Sequence, residues 1–164
     1  MKTSTKTWFW FVITVLFMSF IFYKSAEPYK KQDIKPYLRE HLQLSESKIP
    51  KIDFYYDGDH VTSKNPYDFV EFLIRKAGHI SEYALLCFLL LKTLRSTNLR
   101  LGQSLILSGI ASIIYAGSDE WHQSFIAGRT GHLIDVLGPD LLGVLVTLIL
   151  YLLIARKKDR LLKG

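Results

Sequence analysis

Residues 101–155 read LGQSLILSGIASIIYAGSDEWHQSFIAGRTGHLIDVLGPDLLGVLVTLILYLLIA. Residues 101–117 and 133–155 are almost entirely apolar or small, whereas residues 118–132 carry an acid pair, two histidines, a glutamine and an arginine. A helix needs about 17 to 25 mainly apolar residues to cross a bilayer. The stretch therefore predicts two membrane-spanning helices joined by a short polar connection.

Two more apolar segments precede this stretch, at residues 8–23 and 77–94. The chain of 164 residues is 49% hydrophobic and 13% aromatic, a composition typical of membrane proteins. Lys2 and Lys6 ahead of the first segment resemble the start of a signal peptide, but the long aromatic core and poor cleavage site favour an uncleaved anchor. We predict an all-α membrane protein with four transmembrane helices.

The basic residues favour a membrane surface as their partner over nucleic acid. The isoelectric point is near 9.4, but the charges flank the apolar segments and form no basic stripe interleaved with aromatics. We therefore predict no nucleic acid partner and expect anionic inner-leaflet lipids at the basic tail, residues 156–164. The single cysteine, Cys87, excludes an intrachain disulfide.

The distribution of Lys and Arg predicts the orientation. The N-terminus, the connection after the second span and the C-terminal tail together hold 10 of the 21 basic residues and one acid, whereas residues 24–70 hold eight of each. Basic residues collect on the cytoplasmic side of spans. We therefore predict a multi-pass cell-membrane protein with both termini cytoplasmic and residues 24–70 outside.

Residues 24–70 are predicted to form a small external α/β cap between the first two spans. Residues 33–44 could form a short amphipathic helix, and residues 51–61 alternate around Asp57-Gly58, which favours a two-residue hairpin turn. Asn65 and Pro66 resemble the start of a helix that continues into the second span. The predicted division is a first helix at 1–23, the cap at 24–70, a three-helix core at 71–155 and the tail at 156–164.

Polar side chains share one face of the second span, where Glu82 needs a protein or water partner; Arg75 and His79 are the candidates on its own helix. The third span carries a row of small residues every fourth position, from Ser104 to Ala116, which permits close helix packing. Pro139 predicts a kink in the fourth span. Three helices thus bring together Lys76, His79, Glu82, Asp119, Glu120, His122, Gln123, Arg129, His132 and Asp135.

Several short motifs resemble the signature of VanZ-like membrane proteins. They are Arg75-Lys76-Ala77-Gly78-His79 with Tyr83, Ser118-Asp119-Glu120-Trp121-His122-Gln123, Gly128-Arg129 and Asp135-Val136-Leu137, within residues 50–155. The resemblance implies a four-helix integral membrane protein, in the style of Gram-positive bacterial members. For the founding member it implies reduced susceptibility to teicoplanin. The family usually has Asp or Asn four residues after the fourth-span Asp, where this chain has Pro139 followed by Asp140.

The polar residues allow two functional hypotheses and one purely structural hypothesis. In the first, the site binds the head group of a membrane lipid or lipid-linked envelope precursor, with ligand-binding residues Lys76, His79, Tyr83, Gln123, Arg129, His132 and Asp135. In the second, a hydrolase or transferase uses His79, Glu82, Asp119, Glu120 and His122 for acid–base catalysis on a lipid-linked phosphate. In the third, the same charges form a buried structural network.

No complete catalytic motif is present, which favours a non-enzyme without a cofactor. The spacing from His132 to Asp135 resembles the last motif of type 2 phosphatidic acid phosphatases, but it is one residue short and the preceding motifs are absent. Nearby Lys and Arg disfavour a divalent cation, so no metal is predicted. Four spans without a repeat give a channel little support, although a homodimer could supply a pore.

Overall fold

The computed structural model describes residues 4–161 and is mainly helical. Within that range four helices are long and apolar enough to cross a membrane, as predicted. Lys2 and Lys163, two of the basic residues that predict the orientation, lie outside the described residues. In chain order the elements are α1 (Thr5–Ser25), α2 (Tyr29–Gln32), α3 (Lys35–His41), a 3-10 turn (Glu46–Lys48), β1 (Asp53–Tyr56), β2 (Asp59–Thr62), α4 (Pro66–Arg95), α5 (Leu101–Gln123), α6 (Leu133–Asp135), a π-helical turn (Val136–Asp140) and α7 (Leu141–Leu161).

The segment between α1 and α4, which we call the cap, contains the predicted hairpin. β1 and β2 pair in antiparallel register, with Tyr56 opposite Asp59. The turn residues Asp57 and Gly58 both have positive φ, 50° and 89°, which is the conformation that a two-residue turn between twisted strands requires. The short helix expected at residues 33–44 is present as the seven-residue α3.

Helix α4 starts in the cap and continues without a break through the membrane-spanning bundle. It begins at Pro66, as predicted, although Asn65 at the N-cap position makes no side-chain capping bond. At about 1.5 Å per residue, its 30 residues extend roughly 45 Å, longer than a hydrocarbon core of about 30 Å. Its first turns therefore contact the cap, and its remaining turns pack against α1, α5 and α7.

Small residues let the helices approach closely. In α5, Ser104, Ser108, Ser112 and Ala116 are all fully buried, which confirms that the row faces neighbouring helices. In α7, a Cβ at Gly143 would collide with the Ile80 carbonyl of α4, and Thr147 donates to the Ala84 carbonyl at 2.9 Å. The core between them contains Tyr83, Leu86, Cys87 and Val144.

The fourth span consists of α6, the π-helical turn and most of α7 (Leu133–Lys158), and it is irregular at the proline that predicted a kink. Residues Val136–Asp140 form a π-helical turn that includes Pro139. Such single turns widen the helix and commonly occur at functional sites. Here the turn leaves the Asp140 side chain fully buried in the bundle.

Candidate functional site

A polar cavity of about 470 Å³ lies between the cap and the adjoining helix ends, which we call the cap end of the bundle. Its walls come from the hairpin, the first turns of α4, the end of α5 and the loop before α6. A smaller cavity of about 140 Å³ lies beside it, against the last turns of α1 at Ile21, Lys24 and Ser25. Four side chains border both cavities: Arg75, His79, Gln123 and Arg129.

Two guanidinium groups form part of the wall between the cavities. Arg129 donates from Nη1 to the carbonyls of Ser25 and Lys24, at 3.0 and 3.3 Å. Arg75 lies over the Tyr29 ring at 5.1 Å, and its Nη1 is buried with no hydrogen-bond partner among the described residues. Burial lowers the pKa of the Arg129 guanidinium, and the charge of Arg75 lowers it further. Neither arginine forms an ion pair with any residue of the described part of the chain.

Lys76, in contrast, has its charge compensated within the protein. Its ammonium group is 2.5 Å from Asp135 Oδ1, and the Tyr56 hydroxyl donates to the same oxygen at 2.6 Å. The ammonium also lies over the Tyr56 ring, 4.3 Å from its centroid. Burial and the bond to Asp135 raise the pKa of Tyr56 well above its usual value, so the phenol keeps its proton. These contacts join the hairpin to α4 and α6.

A cluster of buried carboxylates lies deeper in the bundle. His79 Nδ1 is 2.9 Å from Asp140 Oδ1 and 4.0 Å from Glu120 Oε1. Gln123 donates to Asp119 at 2.9 Å and to Glu120 at 3.4 Å. The Tyr83 hydroxyl donates to Asp119 at 3.2 Å, so α4, α5 and the fourth span all contribute to one network.

The loop from α5 to α6 closes over this cluster. The His132 backbone N–H donates to Glu120 Oε2 at 2.8 Å. Gly131 approaches the Glu120 carbonyl so closely that a Cβ could not fit, and Gly128 adopts a positive φ of 73°. The His132 ring itself turns to the surface and contacts Asp57 of the hairpin and Thr130.

Most of the predicted site residues lie in this connected region, and two are placed differently. Glu82 borders the smaller cavity but makes no hydrogen bond or ion pair within the described residues, so the expected bonds to Arg75 and His79 are absent. His122 lies on the other side of α5, stacked on Phe22 of α1 at 4.3 Å and 3.3 Å from Ser25 Oγ. The remaining predicted residues are Lys76, His79, Tyr83, Asp119, Glu120, Gln123, Arg129, His132 and Asp135.

Several residues of the cap and of the first turns of α4 belong to this region but were not identified from the sequence. Tyr56 and Tyr29 border the larger cavity, and buried Glu71 accepts a bond from Tyr29 at 2.9 Å. Lys35 is 3.1 Å from Asp68 and 3.7 Å from Glu71, and the bond to Asp68 raises its pKa. The alternating strand pattern placed Tyr56 next to the turn, but only the fold brings that turn to Asp135.

Comparison with protein families gives a match over most of the chain. The model of the VanZ/LLP1 family matches residues 9–155, nearly the whole chain. No curated protein and no solved structure matches the chain.

Proposed function

The chain belongs to the VanZ/LLP1 family, and we propose that its larger cavity binds the anionic head group of a membrane lipid or lipid-linked cell-envelope precursor. The cavity volume of about 470 Å³ falls within the range of roughly 300–1,000 Å³ typical of small-molecule sites. A phosphate or phosphodiester is the chemical group common to both kinds of ligand.

The unpartnered Nη1 of Arg75 carries this proposal. A buried donor without an acceptor costs about 1–3 kcal/mol, and more when it is charged. The carboxylates of Glu71 and Asp135 on the cavity wall are already paired with Lys35 and Lys76. Of the lysine and arginine side chains that line the described cavity, Arg75 and Arg129 have no carboxylate within ion-pair distance, and guanidinium is well suited to bidentate recognition of phosphate.

The predicted orientation would place the cavity at the outer leaflet of the cell membrane. Basic residues gather at the ends of the bundle opposite the cap, at Arg95, Arg100 and residues 156–160. By the positive-inside rule these ends are cytoplasmic, which puts the cap outside. An outer-leaflet site could contact lipid-linked wall precursors, and we propose that the protein contributes to teicoplanin tolerance through such contacts.

Binding can be tested on the purified full chain in nanodiscs. A short-chain polyprenyl phosphate and phosphatidylglycerol serve as probes, with phosphatidylcholine as the neutral comparison. We expect Arg75→Gln to weaken binding of the preferred anion by about 10- to 100-fold, because charge-assisted bonds contribute about 1.5–3 kcal/mol.

Arg95→Gln is the matched control, because this exposed arginine lies at the opposite end of the same helix. It should leave affinity unchanged. Equal affinity of wild type and Arg75→Gln for both anions would contradict the proposal. In a teicoplanin-sensitive host, the wild type should raise the inhibitory concentration of the drug and Arg75→Gln should not, at equal membrane abundance.

The second candidate is a hydrolase or transferase that acts on a lipid-linked phosphate. The favouring observation is His79, which borders both cavities while Asp140 orients its ring at 2.9 Å. An imidazole oriented by a carboxylate is a common general acid or base. Release of inorganic phosphate from the polyprenyl phosphate probe by wild type would favour this alternative; binding without turnover favours the first proposal.

A further inference from the structure

Three potential metal ligands converge beneath the larger cavity. His79 of α4, Glu120 of α5 and Asp140 of the π-helical turn each offer one ligand atom, and these atoms lie within 4.8 Å of one another. The three residues come from three separate elements, so the cluster exists only in the folded bundle. A cation of ordinary size could contact all three after small side-chain adjustments.

The cluster has more negative than positive charge. Asp119, Glu120 and Asp140 are at most 5% exposed, and His79 is the only described basic side chain within ion-pair distance of any of them. Lys76 forms an ion pair with Asp135, and the Arg129 Nη1 donates to backbone carbonyls. Buried carboxylates are expensive unless they are paired or bind a metal.

An independent observation marks a missing partner at Asp140. This side chain is fully buried; Oδ1 faces His79, and Oδ2 has no hydrogen-bond partner among the described residues. The π-helical turn fixes the position of this carboxylate. Pro139 within the turn has no backbone N–H, so one backbone hydrogen bond of the helix is missing there. An unpaired oxygen at this depth is unfavourable as it stands and becomes favourable as a metal ligand.

Neighbouring groups fix the orientation of the candidate ligands. Glu120 accepts from the His132 N–H through Oε2, which leaves Oε1 on the side of His79. Gln123 contacts the same Oε1 at 3.4 Å and braces Asp119. Such bonds around a ligand set are typical of metal centres.

We propose that His79, Glu120 and Asp140 bind one divalent transition-metal ion. One imidazole and two carboxylates form a borderline-to-hard ligand set that suits Zn²⁺ or Mn²⁺. Three protein ligands leave a further coordination position. Because His79 lines the larger cavity, the ion could reach its ligands from that cavity. The site is separate from the two arginines of the proposed head-group site and does not depend on it.

The test uses the full chain in detergent, stripped with chelator and then titrated with Zn²⁺ or Mn²⁺ alone. Bound metal is measured by elemental mass spectrometry after gel filtration, and Mn²⁺ coordination by electron paramagnetic resonance. We expect one ion per chain in the wild type and an affinity at least about tenfold weaker in Asp140→Asn and Glu120→Gln. Both variants keep the side-chain shape, and the gel-filtration profile reports whether they fold.

Glu82→Gln is the matched control, because it removes a carboxylate three residues from His79 on the same helix without touching the cluster. It should bind metal as the wild type does, and so should Arg75→Gln, which keeps this result separate from the head-group proposal. Failure of the folded wild type to bind either ion above the Asp140→Asn level would overturn the metal site. Loss of binding in Glu82→Gln with retention in Asp140→Asn would also overturn it.

Discussion

His122 packs against α1 although its neighbours Asp119, Glu120 and Gln123 face the polar cluster. At about 100° per residue, Gln123 and Glu120 lie roughly 40° and 100° from Asp119 in one direction, whereas His122 lies about 60° away in the other. Tyr115 lies on the same side as His122, and its hydroxyl donates to the Met18 carbonyl of α1 at 2.6 Å. These two residues therefore contribute to the contact of α5 with α1.

This placement predicts that His122 contributes to stability and not to ligand binding. His122→Ala should lower the thermal unfolding temperature by a few degrees, since a stacked pair contributes about 0.5–1.5 kcal/mol. Affinity for the anionic probe should stay unchanged. Unfolding followed by fluorescence, together with a binding titration, checks both expectations.

Phe22→Leu is the control for the stacking interaction and should reproduce the loss of stability. If His122→Ala instead abolishes binding while the unfolding temperature stays normal, His122 belongs to the site and the interpretation of the stacking is wrong.

The contact of Asp140 with His79 could not be predicted from the position of Asp140 in the sequence. Pro139 occupies the position at which the family usually has a polar side chain, and a regular helix would turn Asp140 about 100° from that position. The π-helical turn inserts an extra residue per turn, and Asp140 reaches His79 at 2.9 Å. Proline predicted a disturbance here, but its geometry depends on the packing of α4 and α5.

At the scale of elements, the helices and the hairpin follow from local sequence, and their contacts do not. The Asp57-Gly58 turn and the start of α4 at Pro66 are determined by backbone preferences of a few residues, which is why they could be predicted. The docking of the hairpin on Asp135 and the partners of Glu71 depend on residues about 79 and 42 positions away. A single sequence contains no direct record of such pairs.

Gly143 makes the α4–α7 contact testable. A side chain there would meet the Ile80 carbonyl, and backbone cannot yield as a flexible side chain can. We expect Gly143→Val to destabilise the bundle by about 1–3 kcal/mol, the range for overpacking. The measurement is thermal unfolding in detergent with the fraction of monodisperse protein after purification.

Gly117→Ala provides the comparison, because a Cβ at this helical glycine meets nothing within 4 Å. It should be neutral or slightly stabilising, as alanine favours the helix by up to about 1 kcal/mol. Equal stability of Gly143→Val and wild type would show that the two helices are not in close contact.

For the whole molecule, the exposed surface and the charge distribution give a consistent membrane arrangement. Large apolar side chains such as Leu16, Ile114 and Ile154 are more than 60% exposed along three different spans. In water, so much contiguous apolar surface would drive aggregation, whereas lipid solvates it. The helices therefore define a lipid-facing bundle, and the basic connections predict which end faces the cytoplasm.

The orientation can be tested by cysteine accessibility in cells. Cys87 is fully buried, so Cys87→Ala gives a background without a reactive thiol. In that background, Tyr55→Cys places a thiol on a hairpin residue that is 75% exposed, and Asn98→Cys places one in the connection between α4 and α5. Because Arg95 and Arg100 flank this connection, the positive-inside rule assigns it to the cytoplasm. A membrane-impermeant maleimide should label Tyr55→Cys in intact protoplasts and Asn98→Cys only after permeabilisation. The reverse pattern would place the cap and its cavity in the cytoplasm, where an outer-leaflet head group could not reach Arg75.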